Sequence, residues 1–100
     1  MKYISGQDYL QEEIVEEKKQ ELLDDNETEV VVPCYYVGII DDVEYAVVAD
    51  KHHTMAAGRE LGLYIVFDVV DHPEGLKGED LLSDMVDGNG FHDAETGEYI

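Results

Sequence analysis

The sequence is poor in basic residues. Its 100 residues include six lysines and arginines against 25 aspartates and glutamates, which gives a formal net charge of -19 at pH 7. A field of this sign repels DNA, RNA and acidic membrane surfaces at ordinary salt. We therefore expect no direct binding to nucleic acid or to membranes.

Cysteine and long apolar runs are also scarce. The single cysteine, Cys34, excludes an internal disulfide bond. No apolar run approaches the ~20 residues of a membrane-spanning helix. The first residues, Met1 to Asp8, contain no apolar segment of signal-peptide length. These absences predict a protein of the cytoplasm.

The sequence does contain enough apolar material for one core. Hydrophobic residues make up 44% of the chain, and a domain of this size buries roughly two thirds of its unfolded surface. We therefore predict a single domain. Its three parts are an acidic helix within residues 1–26, a core over residues 28–70, and an acidic helix with a small extended flap over residues 71–100.

Periodicity and turn residues predict an α+β fold with a small mixed β-sheet. Good helix formers without proline run from Ser5 to about Asp25, and Ser5 with Asp8 has the spacing of a capping box. Later segments rich in Val, Ile and Tyr predict strands. The elements predicted after the first helix are a β-hairpin over 28–49, a helix over about 53–61 that ends at Gly62, a strand over 63–70 and a helix over about 78–86.

A polar turn separates the second hairpin strand from the next helix. It consists of Asp50, Lys51, His52, His53 and Thr54. Free backbone N–H groups at a helix start form an anion site, and lysine, histidine and threonine side chains add donors. The competing interpretation is that Asp50 caps the helix and occupies those donors itself.

The stretch from Val47 to Gly62 resembles the signature of the ParB/sulfiredoxin-like superfamily. That signature is an aliphatic strand, Asp-Gly-His-His-Arg or a variant, an alanine-rich helix ending in Leu-Gly, and another strand. The resemblance covers about residues 35–70 and implies a strand-turn-helix-strand unit whose turn binds nucleotide phosphates. The phosphate-binding candidates that it implies are Lys51, His52, His53 and Thr54, and the catalytic candidates of an active member are Asp50, His52, His53 and Thr54.

Two residues depart from that signature. Lys51 stands where the family favours glycine, so a Cβ and a long side chain crowd the turn. Thr54 stands where most members have arginine, so the charged fork that clamps phosphate is missing. Cys34 is far from the turn in sequence, which argues against sulfiredoxin chemistry. We expect no catalysis and no cofactor, and no Cys/His spacing predicts a metal site.

Carboxylates form rows on the two outer helices. Glu13, Glu17 and Glu21 recur every four residues, about 6 Å apart along one helix face. The net charge also exceeds the magnitude of about 2 to 8 that suffices for a small domain. The residues assigned to a partner-binding surface are Glu12, Glu13, Glu16, Glu17, Glu21 and Asp24 on the first helix, with Glu79, Asp80, Asp84 and Asp87 on the last.

The leading hypothesis is a non-enzymatic inhibitor that imitates the phosphate lattice of a nucleic acid. It would occupy the basic groove of a nucleic-acid-handling protein or complex, as phage anti-restriction and anti-CRISPR proteins do, an analogy based on charge and size. Two alternatives stay open: a ParB-like nucleotide-binding phosphohydrolase or nuclease, and an immunity or antitoxin protein against a basic toxin. The sequence determines neither the partner nor the oligomeric state.

Overall fold

The computed structural model describes residues 1–7, 10–86, 90–96 and 98. The elements are β1 (Lys2–Ser5), α1 (Glu12–Asp24), β2 (Glu29–Ile40), β3 (Val43–Val48), α2 (His52–Glu60), β4 (Tyr64–Val70), α3 (Gly78–Met85) and β5 (His92–Asp93). Within these residues the strands form one sheet in the order β4-β2-β3-β1-β5. The predicted α+β class, the mixed sheet and the acidic helix near the N-terminus are confirmed.

The sheet is mixed because β2 runs antiparallel to β3 and parallel to β4. The hairpin of β2 and β3 turns at Asp41 and Asp42, whose φ angles are 49° and 67°. Positive φ at both central residues is typical of the two-residue turn that matches the twist of a hairpin. The predicted hairpin therefore forms, with aspartates in positions that more often hold asparagine and glycine.

Side chains of alternating residues form a separate core on each face of the sheet. On one face, Val30, Val32 and Cys34 of β2 pack with Val48 of β3 and with Met55 of α2. α1 lies beside α2 on this face, with Leu22 against the same core.

The opposite face carries the second core. Its buried residues are Ile4, Val37, Val47 and Leu81, and Leu81 belongs to α3. The two acidic helices, α1 and α3, therefore lie on opposite sides of the sheet.

Ser5 does not begin a helix. It is the last residue of β1, its exposed fraction is 1%, and its Oγ accepts a hydrogen bond from the backbone N–H of Gln7 at 3.3 Å. The predicted capping box is wrong, and its other residue, Asp8, lies outside the described residues. Ile4 pairs with Val47 in the parallel ladder of β1 and β3, and this long-range pairing outweighs local helix propensity.

The last part of the chain returns to β1. Ile4 and Ser5 pair antiparallel with Asp93 and His92 of β5, so part of the predicted flap is a short fifth strand. Residues 97, 99 and 100 of that flap lie outside the described residues.

Helix α2 approaches the sheet closely at Gly58. A Cβ on this residue would lie 2.7 Å from Val30 Cγ2 and 3.2 Å from Ile65 Cδ1. The helix then ends at Gly62, which has a φ of 74°. The N–H of Gly62 donates to Arg59 at 3.1 Å and the N–H of Leu63 donates to Gly58 at 2.9 Å, the pair of bonds of a Schellman motif. Gly62 therefore ends the helix as predicted.

The variant Gly58→Ala tests this close approach. Alanine in an open helix interior would gain up to ~1 kcal/mol from helix propensity, but here Val30 must move to admit the new methyl group. We expect a net loss of about 1–2 kcal/mol in the free energy of unfolding, because overpacking a buried contact costs more than propensity returns. Urea denaturation measures it. The control Glu60→Ala, exposed on the same helix, should change stability by less than ~0.5 kcal/mol; a more stable Gly58→Ala protein would contradict the packing.

Candidate functional sites

The turn between β3 and α2 contains a residue in the left-handed conformation. Lys51 has φ 63° and ψ 32° and is the N-cap of α2, although this region favours glycine. The Asp50 carboxylate accepts a hydrogen bond from the backbone N–H of Lys51 at 2.7 Å. Asp50 therefore does not cap α2, and that interpretation was wrong: the left-handed Lys51 takes the N-cap position between Asp50 and the helix.

The start of α2 keeps its first N–H groups without a side-chain cap. Around it the fold gathers the four phosphate-binding candidates in one open depression of about 510 Å³. Lys18 of α1 joins them, and the carboxylates of Glu21 and Asp50 line the same depression. Lys18 is itself paired with Glu21 at 3.3 Å. The site therefore combines hydrogen-bond donors that could bind an anion with two carboxylates that compete with an anion for those donors.

The two histidines of the turn have different environments. His53 Nε2 accepts a hydrogen bond from the backbone N–H of Gln11 at 3.1 Å, so this side chain ties the segment before α1 to α2. Burial lowers the pKa of His52 below its ordinary value of 6.5; Asp50 opposes the shift, while His53 and His92 add to it. His52 is therefore neutral at pH 7 and adds no positive charge for an anion.

A second depression next to the turn was not predicted from the sequence. It measures about 240 Å³ and is lined by Ser5, His52, Arg59, His92 and Asp93, among others. Burial lowers the pKa of Arg59, while Glu95 and Asp93 raise it. No local pattern signals this group, because the pairing of β5 with β1 brings residues 92 and 93 beside α2.

Cys34 lies closer to the turn than its sequence position indicates. It pairs with Val48 of β3, two residues before Asp50. Its side chain is fully buried, and this burial, together with the charge of Asp68, raises the pKa of the thiol to about 12. Because the thiolate is the reactive form of cysteine, Cys34 has the properties of a core residue. Among the described residues, no group of three or more His, Cys, Asp or Glu side chains could hold a metal ion.

The carboxylates assigned to the acidic row of α1 are exposed. All six residues assigned to it are exposed: Glu12, Glu13, Glu16, Glu17, Glu21 and Asp24. Two of them form ion pairs, Glu21 with Lys18 at 3.3 Å and Glu16 with Lys19 at 3.2 Å. Glu13 and Glu17 form no ion pair with any residue that the structure describes.

The acidic residues of α3 form a smaller group. Glu79, Asp80 and Asp84 are exposed, and the last turn of the helix has no basic residue. Asp87, the fourth residue assigned to this surface, lies outside the described residues. Because α1 and α3 lie on opposite sides of the sheet, the two acidic surfaces face in different directions.

Comparison of the chain with protein-family models, with curated proteins and with solved structures found no match. Within the described residues, no helix is long and apolar enough to cross a bilayer. The class of this protein therefore rests on its fold and its surface. It is a small α+β domain with an acidic helix on each side of a mixed sheet.

The pKa of His52 tests the geometry of the turn. An NMR titration of its ring protons should give a pKa below 6.5, since the buried ring disfavours the charged form. Asp50→Asn, which retains an acceptor for Lys51, should lower this pKa further, and His53→Gln should raise it. A value at or above 6.5 in the native chain would show that burial of the ring does not outweigh the charge of Asp50.

Stability gives a second measure of the same group. Because the folded pKa of His52 lies below the unfolded value, the unfolded chain takes up this proton first as pH falls. The free energy of unfolding should therefore lose a contribution from His52 as pH falls from about 6.5. His52→Gln should lack that part of the decline.

Proposed function

We propose that this chain is a non-enzymatic inhibitor that binds a basic nucleic-acid-handling protein or complex as a nucleic-acid mimic. The observation that supports it is the charge density of α1. This helix has 13 residues, or about 20 Å of length, and carries six exposed carboxylates. That is one carboxylate per ~3.3 Å, close to the one phosphate charge per ~3.4 Å along each strand of duplex DNA; Lys18 and Lys19 of the same helix neutralise two of the six.

The environment of α1 suits a surface for binding. Val15 is the buried residue of the helix. The side of α1 that packs against the rest of the domain is therefore narrow, and most of the helix surface faces solvent. Each of its two ion pairs joins a half-buried lysine to an exposed glutamate, and ion pairs at the protein surface contribute only about 0–1 kcal/mol. Lysines and arginines of a partner could therefore take the place of Lys18 and Lys19 beside these glutamates at little cost in free energy.

The orientation of the two acidic helices limits how one partner engages them. A single groove on a partner can contact either α1 or α3 but not both, because the sheet separates the two helices. We assign the principal contact to α1, which carries six carboxylates, and a secondary contact to Glu79, Asp80 and Asp84 of α3. A partner that closes around the domain would use both.

The acidic row is tested with a partner recovered by pull-down from host lysate and identified by mass spectrometry. The triple variant Glu13→Gln, Glu17→Gln, Glu21→Gln should weaken binding roughly tenfold or more, as expected for removal of several close charge pairs. The matched control Asp41→Asn, Asp42→Asn, Glu74→Gln removes the same charge elsewhere, and asparagine tolerates the positive φ of the turn. An equal loss of affinity in both variants would show that only the net charge matters, and it would contradict a specific role of the acidic row.

Salt dependence tests the same complex without mutation. Raising salt from ~50 to ~300 mM shortens the Debye length from roughly 14 to 6 Å, so affinity and the association rate should both fall. The chain should also compete with nucleic acid for the partner. Affinity insensitive to salt would contradict mimicry, and recovery of a basic toxin in place of a nucleic-acid-handling complex would favour the immunity hypothesis.

A second candidate function, a ParB-like nucleotide-binding phosphohydrolase or nuclease, is favoured by one observation. Lys18, Lys51 and Thr54 meet at the uncapped start of α2, although the chain has only six basic residues. Three features oppose it: the carboxylates in the depression, the neutral His52, and the hydrogen bond that occupies His53 Nε2. The geometry therefore favours the inhibitor.

Incubation with CTP, ATP and single-stranded DNA separates the two candidates. We expect no turnover, because the turn lacks the glycine and the arginine of the signature that it resembles. Hydrolysis that is lost in His52→Ala but kept in the triple variant of α1 would reverse the order of the candidates. Circular dichroism of His52→Ala controls for loss of fold.

A further inference from the structure

One region of the sheet has no helix of the described residues over it. α3 covers only the part of one sheet face that is formed by Ile4, Val37 and Val47. On the rest of that face the side chains of β4 and Val31 of β2 are exposed, and Pro33 of β2 is half-buried. The exposed fractions are 44% for Val31, 80% for Tyr64, 40% for Val66 and 46% for Val70. We call Val31 and Pro33 of β2 with Tyr64, Val66 and Val70 of β4 the open face.

Strand register places these residues side by side and adds a carboxylate near each end. Parallel pairing joins Glu29 to Tyr64, Val31 to Val66 and Pro33 to Asp68. Glu29 and Asp68 are exposed, and neither forms an ion pair with a described residue. Glu29 and Asp68 lie on neighbouring strands and are offset by four residues along the strand direction. They are therefore about 14 Å apart.

The dimensions of the open face argue against a second copy of the chain as its occupant. Two strands of about seven residues give an area of roughly 23 Å by 10 Å, well below the ~800 Å² that each partner contributes to a stable complex. If two copies stacked through this face, Glu29 and Asp68 of one copy would lie against carboxylates or apolar groups of the other. The open face offers no cation to pair with them. Desolvated carboxylates without a counter-charge are costly, and each chain carries a charge of -19.

Charge complementarity indicates a different occupant. We propose that the open face binds a protein segment whose aliphatic side chains are flanked by two basic side chains about 13–14 Å apart, the spacing of residues i and i+4 on one side of an extended strand. This rests on the proposed function, since it supplies the apolar part of the contact with a basic partner. The aliphatic side chains exclude water over Val31 and Val66, and the two cations pair with Glu29 and Asp68.

The probe is a capped synthetic peptide, Thr-Lys-Thr-Val-Thr-Lys-Thr, which presents Lys, Val and Lys on one side when extended. Titrated into the isotope-labelled chain, it should produce saturable NMR shifts at the methyl groups of Val31, Val66 and Val70. Val31 is decisive because it lies on an interior strand, where a segment that merely pairs with the free edge of β4 makes no contact. A peptide with both lysines replaced by glutamate should not bind.

Two variants of the chain separate charge from apolar contact. Glu29→Gln with Asp68→Asn should weaken peptide binding about three- to tenfold, as for two partly exposed ion pairs. Val31→Thr with Val66→Thr keeps shape and strand propensity and should weaken binding by a similar factor. All four side chains are exposed, so the amide spectra of both variants should remain native. The triple variant of α1 should retain the shifts at Val31.

The outcomes distinguish this proposal from the inhibitor proposal. Shifts confined to α1, equal binding of the glutamate peptide, or no shifts at millimolar peptide would overturn the open face as a site and leave the acidic row intact. Shifts at Val31 together with a partner affinity that ignores the α1 variant would retain the open face and contradict the acidic row. A concentration-dependent dimer in sedimentation, lost in Val31→Thr with Val66→Thr, would make a second copy the occupant and overturn the proposal.

Discussion

The pairing of β2 with β3 and β4 is the interaction on which the rest of the structure depends. β2 contributes buried residues to both cores, since Val32 and Cys34 face α2 and Val37 faces the side of α3. Burying one such valine or leucine contributes about 1.5–3 kcal/mol, whereas a like-charge pair on a helix surface costs only a few tenths of a kcal/mol. A chain with a charge of -19 can therefore fold, because the repelling groups stay in water and the apolar groups meet on two sides of one strand.

This arrangement also sorts the charges. The helices that cover the cores expose carboxylates on opposite sides of the sheet, while Lys18 and Lys51 meet at the start of α2. The turn at that point keeps the backbone geometry of an anion site, with a left-handed Lys51 and an uncapped helix start. Its histidines serve other purposes: His53 ties α2 to the segment before α1, and burial keeps His52 neutral. The same scaffold thus holds an uncapped helix start lined by lysines and, on α1, a row of exposed carboxylates.

Acidic rows and an apolar sheet face contribute differently to binding. Exposed charge acts over a Debye length and raises the association rate, and each exposed charge pair adds only about 0–1 kcal/mol to affinity. Apolar contact at Val31 and Val66 would act only at close range and would slow dissociation. A protein that had only the rows of α1 would bind many basic surfaces weakly, and the open face would give it a means of selecting one.

The sequence by itself determined the features that depend on neighbouring residues. The hairpin follows from two aliphatic runs around Asp41-Asp42, the end of α2 from Gly62, and the shared helix face of Glu13, Glu17 and Glu21 from their four-residue spacing. Tertiary structure decided the rest. Ser5 lies in a strand because β1 pairs with β3, some forty residues away. Lys51 takes the N-cap position from Asp50, and His92 and Arg59 line one depression because β5 returns to β1. The open face exists because α3 covers only part of one side of the sheet, and no local pattern encodes where a helix will fail to cover a strand.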